Sequence, residues 1–203
     1  MNNRVHAVAT GLAHYPDRIP QDAFASAVHA QIDGFWVRDA DQLEDPHRDL
    51  YQYWVDARTA GDLPTIKAIV PERFARHLSF ILLLDAVDGG LDARYRVYSS
   101  GVSGPAGRDW TGFTISEMTA ITQTGEEVYY RSVYYAVALR RAAMMVSHHS
   151  TLPLAHREWR RVILPFADEA GAVSRFLVLN KPHQRHYQTP EDLEEVRKAV
   201  GKG

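Results

Sequence analysis

The side chains in this sequence with chemistry to offer are histidines, carboxylates, tyrosines and arginines, and there is no cysteine. That absence removes disulfides, thiolate nucleophiles and cysteine-ligated zinc or iron–sulfur centres. His148-His149 invites a metal reading. Neighbours on a strand point to opposite faces, so the pair cannot chelate one ion from a sheet, and a transition-metal site needs three or four ligands. The pair reads as ordinary polar histidines, with His148 alone as a candidate hydrogen-bond partner inside a pocket. His183 and His186 share a face only if their segment is helical; Pro182 precedes them and no third ligand is evident, so they read as a solvated connection. No metal site is assigned. Glu126 and Glu127 diverge by about 100° on a helix and fall in a first turn, where acids complement the dipole, so they read as capping rather than acid–base residues. Arg140-Arg141 and the group Arg157, Arg160 and Arg161 beside Trp159 are basic clusters in a chain of net charge −2. Without a nucleic-acid motif they read as exposed strand surface balancing Glu158.

The tyrosines are more concentrated. Tyr129, Tyr130, Tyr134 and Tyr135, with Trp110 ahead of them, form the most pocket-like group, and Met144, Val146, Val162 and Leu164 are candidates to face them from strands. Two readings stand: a packed aromatic core, or a ligand cavity lined by aromatic side chains with a few polar groups. Side chains two apart on a strand share a face, which groups Met144, Val146 and His148. The candidate ligand-binding set is Trp110, Tyr129, Val133, Met144, Val146 and His148. No nucleophile–base pair, phosphate loop, dinucleotide glycine motif or metal triad supports catalysis, so no catalytic residue is assigned and no enzyme is expected.

The elements that must position these residues follow from periodicity and turn signals. Asp22–Ile32 reads as a short helix ending near Gly34. Pro46 opens a second helix, whose Leu50, Tyr53, Trp54 and Ala57 recur at helical spacing, with Gly61 as its C-cap and Leu63-Pro64 as a break. Pro71 opens another over Glu72–His77. Phe80–Val87 and Ala93–Ser99 read as a hairpin across Asp88-Gly89-Gly90, the second strand setting Arg94, Arg96 and Tyr98 against Ala93, Tyr95 and Val97. Ser100–Gly107 reads as a loop or short irregular helices, and Thr114–Met118 as a turn capped by Thr114. Gly125–Arg141 is the longest helix, largely covered. The runs Ala142–His148, Glu158–Phe166 and Val173–Leu179 follow as strands, with Asp168–Gly171 as a turn. A capping pattern at Thr189–Asp192 starts a final helix to Val200. Two blocks of antiparallel strands with helices between them make an α+β fold of five strands, one sheet face packing on the helices.

That order, with Tyr53-Trp54, Arg58, Leu63-Pro64, Pro71, Leu82-Leu83-Leu84-Asp85-Ala86-Val87, Tyr95-Arg96-Val97, Gly107-Arg108-Asp109-Trp110-Thr111-Gly112 and Leu164-Pro165-Phe166-Ala167-Asp168, resembles the small single-PAS proteins common in alphaproteobacteria. The resemblance spans Leu50–Phe176, about two thirds of the chain, and departs at Tyr98-Ser99-Ser100-Gly101, where the family usually has Gly-Thr. It implies a PAS-like five-stranded antiparallel sheet with flanking helices, placed over residues 43–182, to which the element order adds an N-terminal helical extension over 1–42 and a C-terminal tail helix over 183–203. It implies a small-molecule ligand between the sheet and the long helix. A cysteinyl flavin adduct and a thioester chromophore need a cysteine, and haem in oxygen-sensing PAS proteins hangs from a histidine on the long helix, which Glu126–Arg141 lacks. Non-covalent flavin or a small metabolite remains open, so the cofactor is unknown.

The resemblance implies a non-catalytic sensory or regulatory module, and the bulk properties bound its size and surroundings. Apolar residues make up 45% of 203, enough for one average domain with extensions. Apolar runs such as Phe80–Leu84 are far below the roughly 20 residues that span a bilayer. With no leader-like N-terminus, a cytoplasmic location without membrane or nucleic-acid contact is expected. No output domain follows in this chain, so a separate signalling protein is the expected partner. A homodimer is expected through the N-terminal helices, with Tyr53 and Trp54 at the interface; the alternative is that Trp54 covers the domain's own core. A purely structural interaction module without ligand is the competing function.

Overall fold

The computed structural model describes residues 1–24, 30–59, 63–123, 125–150, 156–185 and 189–200. Helix α1 (Asn2–His14) leads into strands β1 (Arg18–Ile19) and β2 (Ala30–Trp36). Helix α2 (His47–Asp56) and a 3-10 segment over Pro71–Phe80 precede the hairpin β3 (Ile81–Val87) and β4 (Asp92–Tyr98). Helices α3 (Ser100–Ala106), α4 (Ile115–Thr122) and α5 (Glu127–Arg140) come next, then β5 (Met144–Ser150), β6 (His156–Ala167), β7 (Val173–Arg185) and α6 (Pro190–Val200). The strands form one antiparallel sheet in the order β1-β2-β5-β6-β7-β3-β4, so the chemistry-bearing β6 lies at its centre.

All five expected strands form. The hairpin turns where Asp88, Gly89 and Gly90 all take positive φ, a conformation that favours glycine. Thr114 and Glu117 exchange side chain-to-backbone hydrogen bonds at the start of α4 (3.1 and 2.7 Å), and Thr189 with Asp192 repeats the motif before α6 (3.2 and 2.9 Å). Gly61 lies outside the described residues.

The sheet has seven strands rather than five because residues 1–42 are not simply a helical extension. The helix read over Asp22–Ile32 is a 3-10 turn over Gln21–Ala23, residues 25–29 lie outside the described set, and Ala30–Ile32 open β2. Ile32, Gly34 and Trp36 are buried at period two, a strand pattern. Gly34 is not a helix stop: a Cβ there would lie 2.7 Å from Phe24 Cζ, so it lets Phe24 cross the strand closely.

A second correction concerns β4. Leu83 pairs with Val97 but Leu84 pairs with Tyr95, leaving Arg96 as the extra residue of a bulge. The bulge turns Val97 outward, to 41% exposure, and brings Tyr98 beside Tyr95, with ring centroids 4.9 Å apart. The expected alternation therefore holds only as far as Arg96.

Third, both sheet faces are covered rather than one. On one face Met144, Val146, Ile163, Phe176 and Val178 pack under α5 and α1. On the other, Met145, Val162, Leu164, Leu177 and Leu179 pack with Leu50, Tyr51 and Trp54 of α2 and with Phe74. Val162 and Leu164 thus face away from the tyrosines, and Arg161 and Ile163 take the positions expected for them.

Helix α3 docks on the Pro71–Phe80 segment through Gly101, where an added Cβ would lie 2.4 Å from Ser79 O and 2.6 Å from Phe80 Cε1. Backbone cannot yield as a side-chain tip can. Gly101→Ala is expected to lower stability by about 1–3 kcal/mol, read as a lower urea midpoint at unchanged slope; an unchanged midpoint would mean that α3 shifts freely.

Candidate functional site

The site is built on α5 because that helix is enclosed from two sides. Val5, Ala9 and Leu12 of α1 are buried against it, Ser132 Oγ donates to Val5 O (3.3 Å) and Arg131 Nη2 to Asn2 Oδ1 (2.7 Å). Arg140 Nη1 donates to Ala13 O at 3.1 Å and also to Tyr15 O. The opposite side of α5 faces the sheet. A helix covered this way has little need of a polar stripe, and its residues Val128 to Ser132 include four buried side chains besides Tyr130.

The structure places Trp110, Tyr129, Val133, Met144 and Val146 in the same buried cluster. His148 continues the face of Met144 and Val146, its ring centroid 6.1 Å from Tyr129 and 6.5 Å from Tyr130. Trp110 packs edge-on against Phe113 (5.6 Å) under the Arg108 guanidinium (4.4 Å). Phe24 approaches Tyr129 edge-on at 6.3 Å, from a segment that sequence reasoning had made helical.

Two charged residues were misplaced by reading their types. Arg161 and Glu158 are buried, not exposed strand surface. Arg161 retains 6% of its surface, and its guanidinium carbon lies 5.2 Å from the centre of the Tyr130 ring. In register it sits between Val146 of β5 and Asn180 of β7. Glu126 is buried at the start of α5 and caps no helix N–H with its side chain, whereas Glu127 pairs with Arg131 Nη1 at 2.6 Å. The available signal was parity: Arg161 is two residues from Ile163 and therefore shares its face of the strand.

Burial sets the protonation states. It pushes the Tyr129 and Tyr98 phenols up to about 12 and raises Tyr134, Tyr95 and Tyr130. It lowers His148 to about 3, helped by the charges of Arg161 and His149. It raises Glu126 to about 7 against the opposing hydrogen bond from Tyr130 and the charge of Arg161. Burial also works against the Arg161 charge, the neighbouring phenols oppose that effect, and the guanidinium remains protonated. At neutral pH the region therefore holds one full positive charge, one partly ionised carboxyl, a neutral imidazole and several neutral phenols. Such a set can orient a ligand by hydrogen bonds and charge.

Elsewhere, the second sheet face carries a polar hollow of about 190 Å³ lined by Glu44, His47, Arg160, Lys181 and His183, among others. His47 Nε2 contacts Arg160 O at 3.1 Å, and burial lowers this histidine to about 4. His186 lies outside the described residues. Among the described residues no group of three or more His, Asp or Glu side chains is arranged to hold a metal ion, and no helix is long and apolar enough to cross a membrane.

Tyr53 and Trp54 do not form the exposed stripe expected of an interface. Trp54 turns into the chain's own core, its Nε1 donating to Pro165 O at 2.8 Å. Tyr53 is half-buried, its hydroxyl donating to Ala68 O and accepting from Val70 N at 3.1 Å. This is the core-covering alternative for Trp54, and it follows from α2 lying on the second face of the sheet.

A family model described as PAS domain matches residues 43–179, more than half of the chain. No curated protein and no solved structure matches it.

Proposed function

The chain belongs to the PAS-domain family, and from that membership we propose that it is a non-catalytic sensory or regulatory module that holds a small ligand between α5 and the sheet. Residues 43–182 form the PAS-like unit in this reading, and the flanking segments 1–42 and 183–203 attach to it. The protein works in the cytoplasm as a homodimer and passes its signal to a separate protein. The observation that carries the ligand reading is polar chemistry beneath α5 that the fold does not require: Arg161, Glu126 and His148 are set among apolar and aromatic side chains. Buried charge is costly, and a core needing only packing has no use for it. Trp110, Tyr129, Val133, Met144, Val146 and His148 are the proposed lining.

A second reading, an interaction module without ligand, draws support from the same face: Tyr129, Val133, Met144 and Val146 are all at most 2% exposed. Native mass spectrometry of freshly purified protein separates the two. The expected spectrum has a dimer carrying a small mass that leaves on denaturation. A chain at its bare mass after mild purification, with no stabilising ligand found by thermal shift, favours the interaction module; a monomer rejects the homodimer.

A further inference from the structure

Four buried polar atoms beneath α5 have no hydrogen-bond partner: Arg161 Nε, Tyr129 Oη, Tyr134 Oη and Asn180 Oδ1. Three of them are potential donors, counting each phenol as one. Buried polar groups in native proteins are normally satisfied, so several unmet atoms in one region ask for a missing partner. Arg161 is the strongest case. Its neighbour Arg160, on the opposite face, has two carboxylates, Glu158 at 2.5 Å and Glu44 at 2.9 Å. No ion pair joins Arg161 to any carboxylate among the described residues. A guanidinium at the centre of a seven-stranded sheet, 6% exposed, faced by phenols and by the partly ionised Glu126 but with no carboxylate within ion-pair distance among the described residues, is a costly arrangement unless a closer counter-charge arrives from outside.

We infer that the ligand is a small organic monocarboxylate whose carboxyl group pairs with Arg161 and accepts from Tyr129 or Tyr134, while its apolar body lies against Val133, Met144 and Val146. This rests on the reading of a ligand held between α5 and the sheet. The planar guanidinium fork matches a carboxylate in two parallel hydrogen bonds, and phenols add charge-assisted donors. The charge count selects a monoanion. His148 is held neutral by burial and Arg108 over Trp110 is exposed, so Arg161 supplies the buried positive charge that faces the phenols, and Glu126, partly ionised at neutral pH, disfavours a second negative charge nearby. The walls select an apolar body: Val133 belongs to α5, Met144 and Val146 to β5, and all three lie in the same buried cluster as Tyr129 and Tyr134.

Isothermal titration of the ligand-stripped full chain at pH 7.5 and constant ionic strength tests this with three sorts of probe. Benzoate and hexanoate carry the carboxylate, benzamide and hexanamide match them without the charge, and inorganic phosphate tests a generic anion. At least one carboxylate is expected to bind at least tenfold more tightly than its amide and than phosphate. Arg161→Met, which removes an unpaired buried charge and so should fold, is expected to lose that preference. Tyr134→Phe should keep the fold and weaken the carboxylate several-fold if its phenol is the donor used; Tyr129→Phe covers the alternative. Equal binding of acid and amide, or binding that Arg161→Met leaves unchanged, overturns the monocarboxylate but leaves a ligand module standing. Phosphate bound more tightly than either acid also overturns it. Failure of every probe overturns it too, and if the native mass spectrum is also bare, the ligand reading falls with it.

Discussion

Replacing Trp54 with alanine is expected to destabilise the protein by about 3–5 kcal/mol and to leave its association state unchanged. The ring is 2% exposed, packs on Tyr51 at 5.8 Å and donates its only N–H to Pro165 O on β6. Truncation removes the packing and leaves a buried carbonyl without its donor, and both losses count against the folded state. For a chain of this length each kcal/mol lowers the melting temperature by roughly 2–4 °C, so a fall of roughly 6–20 °C is the expected calorimetric result. Light scattering at 10–20 °C, well below the transition, supplies the second readout. A variant that keeps the wild-type mass and melts early has lost core packing. If the variant instead melts with the wild type and dissociates, α2 opens its tryptophan to a second copy and the buried position described above is not the one populated in solution.

The element order from the second helix onward is legible in the sequence because its boundaries are written in strong local chemistry. Asp88-Gly89-Gly90, the Thr114 and Thr189 caps and the Asp168–Gly171 turn need no tertiary information. The N-terminal strands lack such signals. β2 becomes a strand by pairing with β5 over Ala30–Trp36, a partner more than a hundred residues away, and Gly34 looks like a stop until Phe24 is seen crossing it. The face assignments divide in the same way. Met144, Val146 and His148 share a face by period-two spacing alone, since Ser147 to Ser150 are polar on both faces, and the structure sets Met144 and Val146 under α5. In β6 the run Val162–Phe166 is apolar throughout, since both faces are covered, and a strand buried on both faces has no alternation to read. The phase was therefore arbitrary, and choosing Val162 and Leu164 hid Arg161. Its charge then suggested solvent, the ordinary place for arginine. The candidate site was legible in its apolar and aromatic part and illegible in its charged centre for that reason.

Acid should unfold this protein earlier than its net charge suggests, and two histidines are the expected cause. His47 and His148 have folded-state values of about 4 and about 3 against 6.5 for the free side chain. His148 is faced by Arg161 and by its neighbour His149, and His47 by Arg160, Lys181 and Glu44, with burial the leading cause in both. The sign follows from proton counting. Between the folded and unfolded values the unfolded chain binds more protons, so the stability these neutral rings contribute is fully present above pH 6.5 and is lost as pH falls. At pH 4 each loss is roughly 3 kcal/mol. Glu126 acts in the opposite sense. Its folded value, about 7, lies above its ordinary 4.5, so its contribution is best below pH 4.5 and worsens as pH rises through 7, by up to roughly 3 kcal/mol. The wild-type profile is a difference between these effects, and single variants separate them. His148→Gln is expected to remove most of the fall between pH 6.5 and 4, because Glu126 already offsets roughly half of what the two histidines lose over that range, and Glu126→Gln to raise stability at pH 8 while changing little at pH 4. Urea unfolding at pH 4, 6 and 8 measures all three curves through midpoints at constant slope. If His148→Gln runs parallel to wild type across the acid range, the ring titrates normally in the folded protein, and the space beneath α5 is open to water.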